Sequence, residues 1–173
     1  KMEAALVLGI KDYFKKLNFK TATLGLSGGI DSALTLALAV KALGNKNVFP
    51  ILMPSQFSSG HSISDSIALC ENLGCDYHTI EIEKIYESFD SQLTDLFKGT
   101  EFGIAEENIQ SRIRGTLLMA QSNKFGSILL NTSNKSELAV GYGTLYGDMA
   151  GGLSVIGDVY KTEVFDLCRF INP

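Results

Sequence analysis

Leu26-Ser27-Gly28-Gly29-Ile30-Asp31-Ser32 joins two segments of opposite character. Residues 22–26, before it, form a short apolar run that reads as a strand. Residues 31–43, after it, carry a helical pattern. Gly28 and Gly29 allow backbone conformations and a close ligand approach that other residues resist. Amide groups at a helix N-terminus point outward, where the dipole is positive, and Ser27 and Ser32 add hydroxyl donors. The loop therefore suits a pyrophosphate. The same residue types also build a tight turn with a helix cap, and the strand–helix context weighs toward the first reading.

Outward from this loop the alternation repeats. Residues 48–53, 77–82 and 127–131 read as further strands, and residues 3–17, 62–73, 105–122 and 161–170 as further helices. Strands alternating with helices of this length predict an α/β fold: a Rossmann-like, doubly wound, mostly parallel sheet with helices on both faces. Ligands of such sheets bind beyond the carboxyl ends of the strands, so the residues after Leu26, Met53 and Asn131 are the first candidates. Two segments break the pattern. Residues 54–60 are loop-like, and residues 141–157 are glycine-rich with apolar residues interleaved. Residues 54–60 and 97–105 are expected to be mobile without a ligand, as lids are.

Asp31 is a carboxylate in a place that suits phosphates. It would repel them unless a cation lay between, and Mg²⁺, with its preference for one or two carboxylates plus phosphate oxygens, fits. A smaller role, complementing the dipole of the following helix, is open to the same residue. The G-x-x-x-x-G-K-[ST] pattern is absent, and Gly141, Gly143 and Gly147 miss the dinucleotide spacing G-x-G-x-x-G by one residue.

Composition narrows the class. The chain has 173 residues, 45% hydrophobic and 20% charged, with a formal net charge of -4. That is the make-up of one globular domain with a real core. No basic cluster is denser than Lys11, Lys15 and Lys16, which argues against nucleic acid. The apolar stretch 33–40 is too short to span a membrane. Cys70, Cys75 and Cys168 are odd in number and form no C-x-x-C, so a reducing cytoplasm is expected.

The hexapeptide Ser27-Gly28-Gly29-Ile30-Asp31-Ser32 resembles the loop of the PP-loop ATP pyrophosphatases. Three further stretches narrow the resemblance: Glu107-Asn-Ile-Gln-Ser-Arg-Ile-Arg114, Asn131-Thr-Ser-Asn-Lys-Ser-Glu137, and Gly141-Tyr-Gly-Thr-Leu-Tyr-Gly-Asp148 continuing to Asp158-Val-Tyr-Lys-Thr162. In this order they look like the synthetase domain of the NAD synthetase family, and closer to its glutamine-dependent branch. That likeness implies a domain covering residues 1–173, an upstream glutaminase domain, fused or as a partner, and a continuation beyond Pro173 that helps close the active site.

The resemblance implies ATP-dependent amidation of deamido-NAD to NAD through an acyl-adenylate, with release of AMP and pyrophosphate. The nitrogen is ammonia, supplied directly or from glutamine. ATP and Mg²⁺ are the implied ligands beside deamido-NAD. Carried over by motif, Ser27, Gly28, Gly29, Asp31 and Ser32 hold the pyrophosphate and metal, Arg112 and Thr132 meet ATP, and Glu137 is the second metal carboxylate. Lys161 neutralises the leaving pyrophosphate, and Asp148 lies by the nicotinate and is the candidate to take a proton from ammonium. Arg114 reads as a surface helix charge. The family pairs through this domain, so a homodimer or larger assembly is expected, with Ile109, Ile113 and Leu117 serving either a core or the contact. Two alternatives stay open: another PP-loop amidation such as a GMP synthetase-like reaction, or an ATP-binding domain without catalysis.

Overall fold

The computed structural model describes residues 1–56 and 58–172. In chain order it contains α1 (Met2–Leu17), β1 (Ala22–Leu26), α2 (Ile30–Leu43), β2 (Val48–Leu52), α3 (Gly60–Leu73), β3 (His78–Thr79), α4 (Glu83–Leu93), α5 (Ile104–Phe125), β4 (Ile128–Asn131), α6 (Lys135–Val140), β5 (Leu153–Ser154) and α7 (Lys161–Ile171). A single 3-10 turn, Asn45–Asn47, leads into β2. Among the described residues no helix is long and apolar enough to cross a membrane.

The strands form one five-stranded sheet in the order β3-β2-β1-β4-β5, with every pairing parallel. The chain winds from β1 to β2 to β3 in one direction. It then returns through α4 and α5 to place β4 on the other side of β1. The strand order thus reverses between β1 and β4, and the loops leaving these two strands diverge there into a crevice.

The three central strands, β1, β2 and β4, are buried because both faces are covered, while β3 and β5 at the edges are not. Ala22, Leu24, Leu26, Val48, Leu52, Ile128 and Leu130 pack with Ile10, Phe14, Leu34, Leu38 and Val164 in the larger core, on the side of α1, α2 and α7. Ile51, Met53, Ile82, Tyr86 and Ile113 form a smaller core under α4 and α5. Ile109 and Leu117, partly buried, pack against this second cluster, so the Ile109, Ile113 and Leu117 stripe serves a core.

The third strand is shorter than residues 77–82 predict: only His78–Thr79 is regular. The pairing nonetheless runs on, since the Ile80 amide donates to the Leu52 carbonyl (2.8 Å) and the Ile82 amide to the Pro54 carbonyl (3.1 Å). Ile82 then starts α4, an element not expected from the sequence. In residues 54–60 the Ser58 amide donates to the Ser55 carbonyl and the Ser55 amide to Ser58 Oγ, both at 2.9 Å; position 57 of that segment, like Pro173, lies outside the described residues. In residues 97–105 a turn links Phe97 to Thr100, and the Gly103 amide donates to Glu106 Oε2 (2.7 Å).

Candidate active site

The phosphate-type loop leaves β1 at the point of reversal. Gly28 has φ +82°, a left-handed conformation that favours glycine. Gly29 is the N-cap of α2. The serines brace the turn from both ends. Ser27 Oγ and Ser32 Oγ are 3.1 Å apart, the Ser27 and Gly29 amides donate to Ser32 Oγ and Ser27 Oγ respectively at 3.3 Å, and Ser32 Oγ donates to the Gly29 carbonyl (3.0 Å). Gly28 permits the turn and the two hydroxyls fix it.

Asp31, in the first turn of α2, points to the loop that leaves β4. Its Oδ1 accepts from Asn134 Nδ2 (3.0 Å), and its Oδ2 is paired with Lys161 Nζ. Lys161 opens α7, and its own amide donates to Ser136 Oγ (3.0 Å). Glu137 sits three residues into the α6 start. Its amide donates to Asn134 Oδ1 (3.0 Å) while its Oε2 accepts from the Asn134 amide (3.1 Å), a reciprocal capping box. Asn134, a residue the motif reading passed over, therefore links Asp31 to Glu137, and Lys161 reaches the same Asp31 carboxylate from α7.

A cleft of about 420 Å³ opens beside this corner, over the carboxyl ends of β1, β2 and β4. Of the candidate residues Ser27, Thr132 and Asp148 line it. Gly28, Gly29, Asp31, Ser32, Glu137 and Lys161 lie outside its lining, on the Asp31 side. Arg112 is exposed on α5, outside the lining too, and its Nε donates to the Leu145 carbonyl (3.2 Å).

The arginine in the cleft is Arg114, so its reading as a surface charge is corrected. Its Nε donates to the Met53 carbonyl at the end of β2 (3.1 Å), and burial pushes its guanidinium below the ordinary value. The geometry of α5 explains the difference between the two arginines. Glu106, Gln110 and Ile113 mark the buried face of α5, and Arg114 falls one turn beyond Gln110, whereas Arg112 does not.

The glycine-rich segment 141–152 lies along α5 and closes the cleft's far wall. A Cβ on Gly115 would lie 2.8 Å from the Tyr146 carbonyl oxygen, and one on Gly147 would lie 2.4 Å from Ser111 Oγ, so the two backbones touch where both are glycine. Asp148 is held by its surroundings. Its amide donates to Ser111 Oγ (3.0 Å), its Oδ1 accepts from the Thr144 amide (2.6 Å), and its carbonyl accepts from Asn131 Nδ2 (2.7 Å). Asn131 thus ties β4 to the segment that carries Asp148.

Asp31 and Glu137 are two carboxylates linked through Asn134, a donor set of the kind Mg²⁺ uses together with phosphates. Among the described residues no group of three or more His, Cys, Asp or Glu gathers. A cation there would draw on Asp31 and Glu137 and take its remaining oxygens from phosphates and water, the habit of Mg²⁺.

These features define a class: a doubly wound α/β domain that presents a helix-starting phosphate loop and a carboxylate–lysine pair at its switch point. Within that class the chain belongs to the NAD synthase family, whose model matches residues 2–173. It is 62% identical over 168 residues to the glutamine-dependent NAD(+) synthetase of Synechocystis sp., a match covering 97% of this chain and 30% of the relative. It superposes with a TM-score of 0.98 and 47% identity on the glutamine-dependent NAD+ synthetase from Acinetobacter baumannii, solved in complex with ADP, covering 99% of this chain and 33% of that one. The NH3-dependent NAD synthetase from Campylobacter jejuni, solved with a nitrate ion, superposes with a TM-score of 0.91 at 38% identity, covering 100% of this chain and 73% of that one. The chain therefore spans about a third of the glutamine-dependent relatives.

Proposed function

We propose that the chain carries out the synthetase half of NAD formation: amidation of deamido-NAD at the expense of ATP, with AMP and pyrophosphate as products. The observation that carries this reading is the convergence of the Ser27 loop, the Asp31–Lys161 pair and the cleft at the β1–β4 reversal. The family membership and the ADP-bound relative support it.

A carboxylate does not acylate ammonia, because its oxygen leaves poorly. Transfer of AMP to the nicotinate carboxylate supplies a good leaving group, and ammonia then displaces AMP. In this chain the amides of the Ser27 loop and the start of α2 receive the phosphates, and Thr132 binds the nucleotide from the β4 side. Lys161 opposes the negative charge that grows on the departing pyrophosphate. Asp148, whose segment is held by Ser111, Thr144 and Asn131, takes a proton from the incoming ammonium. Mg²⁺ bound by Asp31 and Glu137 would neutralise phosphate charge there. Arg112 is assigned to the nucleotide side, and Arg114 joins it because it lines the cleft.

The length of the glutamine-dependent relatives supports ammonia drawn from glutamine by a further domain. Free cysteines at positions 70, 75 and 168 are in keeping with a reducing cytoplasm. A homodimer or larger assembly remains part of the reading; exposed Ile104 and Phe125 at the two ends of α5 give it apolar surface.

The test is an assay of pyrophosphate release by the full-length enzyme with deamido-NAD and ammonia. Release that depends on both and yields NAD supports the proposal. Release with xanthosine monophosphate instead would mark a GMP synthetase-like enzyme, and no release would mark a nucleotide-binding domain without catalysis.

A further inference from the structure

We infer that Asn134 is a positioning residue for the Asp31 carboxylate, holding it in register with Glu137 at the phosphate-and-metal corner. The inference rests on the functional reading above for what that corner binds, and on hydrogen-bond chemistry for how it is held.

Asn134 is fully buried, and its side chain is used at both ends. Its Nδ2 donates to Asp31 Oδ1 across 103 residues of sequence, and its Oδ1 accepts from the Glu137 amide. The orientation of the amide is fixed from both sides. An ionised carboxylate only accepts and a backbone N–H only donates, so a flipped amide would lose both bonds. The Asn134 amide N–H completes the arrangement by donating to Glu137 Oε2. One buried residue therefore touches both carboxylates, with its side chain on Asp31 and its main chain on Glu137.

The choice of residue is informative. Ser, Thr, Asp and Asn all cap a helix well, so the needs of α6 leave four options. A donor facing Asp31 narrows them. Aspartate would set a third carboxylate against Asp31, and the shorter hydroxyl side chains lack a second polar atom to reach it while capping. Only asparagine accepts from α6 and donates to Asp31 at once. The two partners of Asp31 also differ in kind. Lys161 is a cation on Oδ2 and cancels charge there, while the neutral amide on Oδ1 aims the carboxylate and leaves its charge in place. Partners of this sort, outside the ligating atoms, typically govern metal affinity through orientation.

The experiment uses the full-length enzyme with a non-hydrolysable ATP analogue, so that no amidation is needed. Mg²⁺ affinity is measured by calorimetry for the wild type, Asn134→Ser, Asp31→Asn and the double variant, and thermal unfolding is recorded for each. Serine keeps the cap and deletes the donor. The expected result is a loss of Mg²⁺ affinity of about 10–100-fold in Asn134→Ser, an unfolding midpoint within a few degrees of wild type, and about twofold or less further loss when Asn134→Ser is added to Asp31→Asn. Unchanged Mg²⁺ affinity in Asn134→Ser would overturn the inference. So would losses that simply add in the double variant, since Asn134 would then act elsewhere than through Asp31. If the serine variant does not fold, Asn134→Thr, which also caps, is judged by the same criteria. A wild type that binds analogue and Mg²⁺ but makes no NAD overturns the functional reading and leaves this inference standing. A wild type that binds no Mg²⁺ overturns the inference.

Discussion

Gly28 lies against the first turn of α3: a Cβ built on it would stand 2.5 Å from the carbonyl oxygen of Ser62 and 2.7 Å from Ser62 Cα. Both obstacles are backbone or next to it, and the position also has φ +82°. Gly28→Ala is therefore expected to cost about 2–4 kcal/mol of stability, strain and overpacking together. It should also push the Ser27 loop away from α3 and weaken nucleotide binding. Thermal unfolding and titration with an ATP analogue check the two effects separately. A variant with normal stability and affinity would mean that α3 yields freely.

Asp31 and Lys161 form a pair of which the lysine is the more exposed, with side-chain exposures of 37% for Lys161 and 17% for Asp31. Their contribution to stability is accordingly small, about 1 kcal/mol or less. Their expected weight is in catalysis. Lys161→Met should lower kcat by about 100-fold or more with little change in KM, because charge on the pyrophosphate grows mainly in the transition state. Asp31→Ala and Glu137→Ala should each remove turnover and leave the fold intact. Pyrophosphate release across a range of Mg²⁺ concentrations is the measurement, and near-normal rates in both alanine variants would remove the shared cation site.

Gly147 and Ser111 meet so closely that a Cβ on Gly147 would lie 3.0 Å from the Ser111 carbonyl carbon, with Ser111 Oγ nearer still. The Asp148 amide is bonded to that same hydroxyl. Gly147→Ala should thus lift the segment that carries Asp148 off α5. The expected signature is about tenfold or greater loss in kcat/KM for deamido-NAD with ATP-analogue affinity retained. Equal losses for both substrates would place the damage in the fold rather than at Asp148.

Cys70 is enclosed in the larger core, and burial, with smaller contributions from Cys75 and Glu71, raises its thiol from 9.0 to about 11. The unfolded chain releases this proton near its ordinary value while the folded chain retains it. Stability from this thiol is therefore complete below about pH 9 and is lost as pH rises through about 11, by up to about 3 kcal/mol. Denaturant unfolding between pH 8 and pH 11 should show the decline, and Cys70→Ala should show a flatter one at a lower starting stability. Identical slopes for the two would assign the alkaline loss to other groups.

The parts of this molecule legible in its sequence are those dictated locally. The apolar run 22–26, the glycine-containing turn and the α2 pattern are all short-range features, and the structure places them together at the start of the sheet. The strand at 77–82 was only partly legible: its hydrogen bonds extend to Ile82, but regular geometry covers His78–Thr79 alone. Leu153–Ser154 is too short for a periodic signal, and it is a strand only because β4 lies beside it. Arg114 and Asn134 escaped for a different reason. Each is defined by a partner far along the chain, Met53 for one and Asp31 for the other, and spacing within a motif does not report such partners.

Asp31 is held by Asn134 and Lys161, which lie 103 and 130 residues farther along the chain. A ribosome delivers the Ser27 loop and α2 long before either partner has emerged. During synthesis the nascent chain thus carries the glycine-containing turn with the Asp31 carboxylate beside it, before either of these partners exists. The Asp31 corner is complete only when the segment through α7 has been made and docked onto α2, late in the synthesis of this domain.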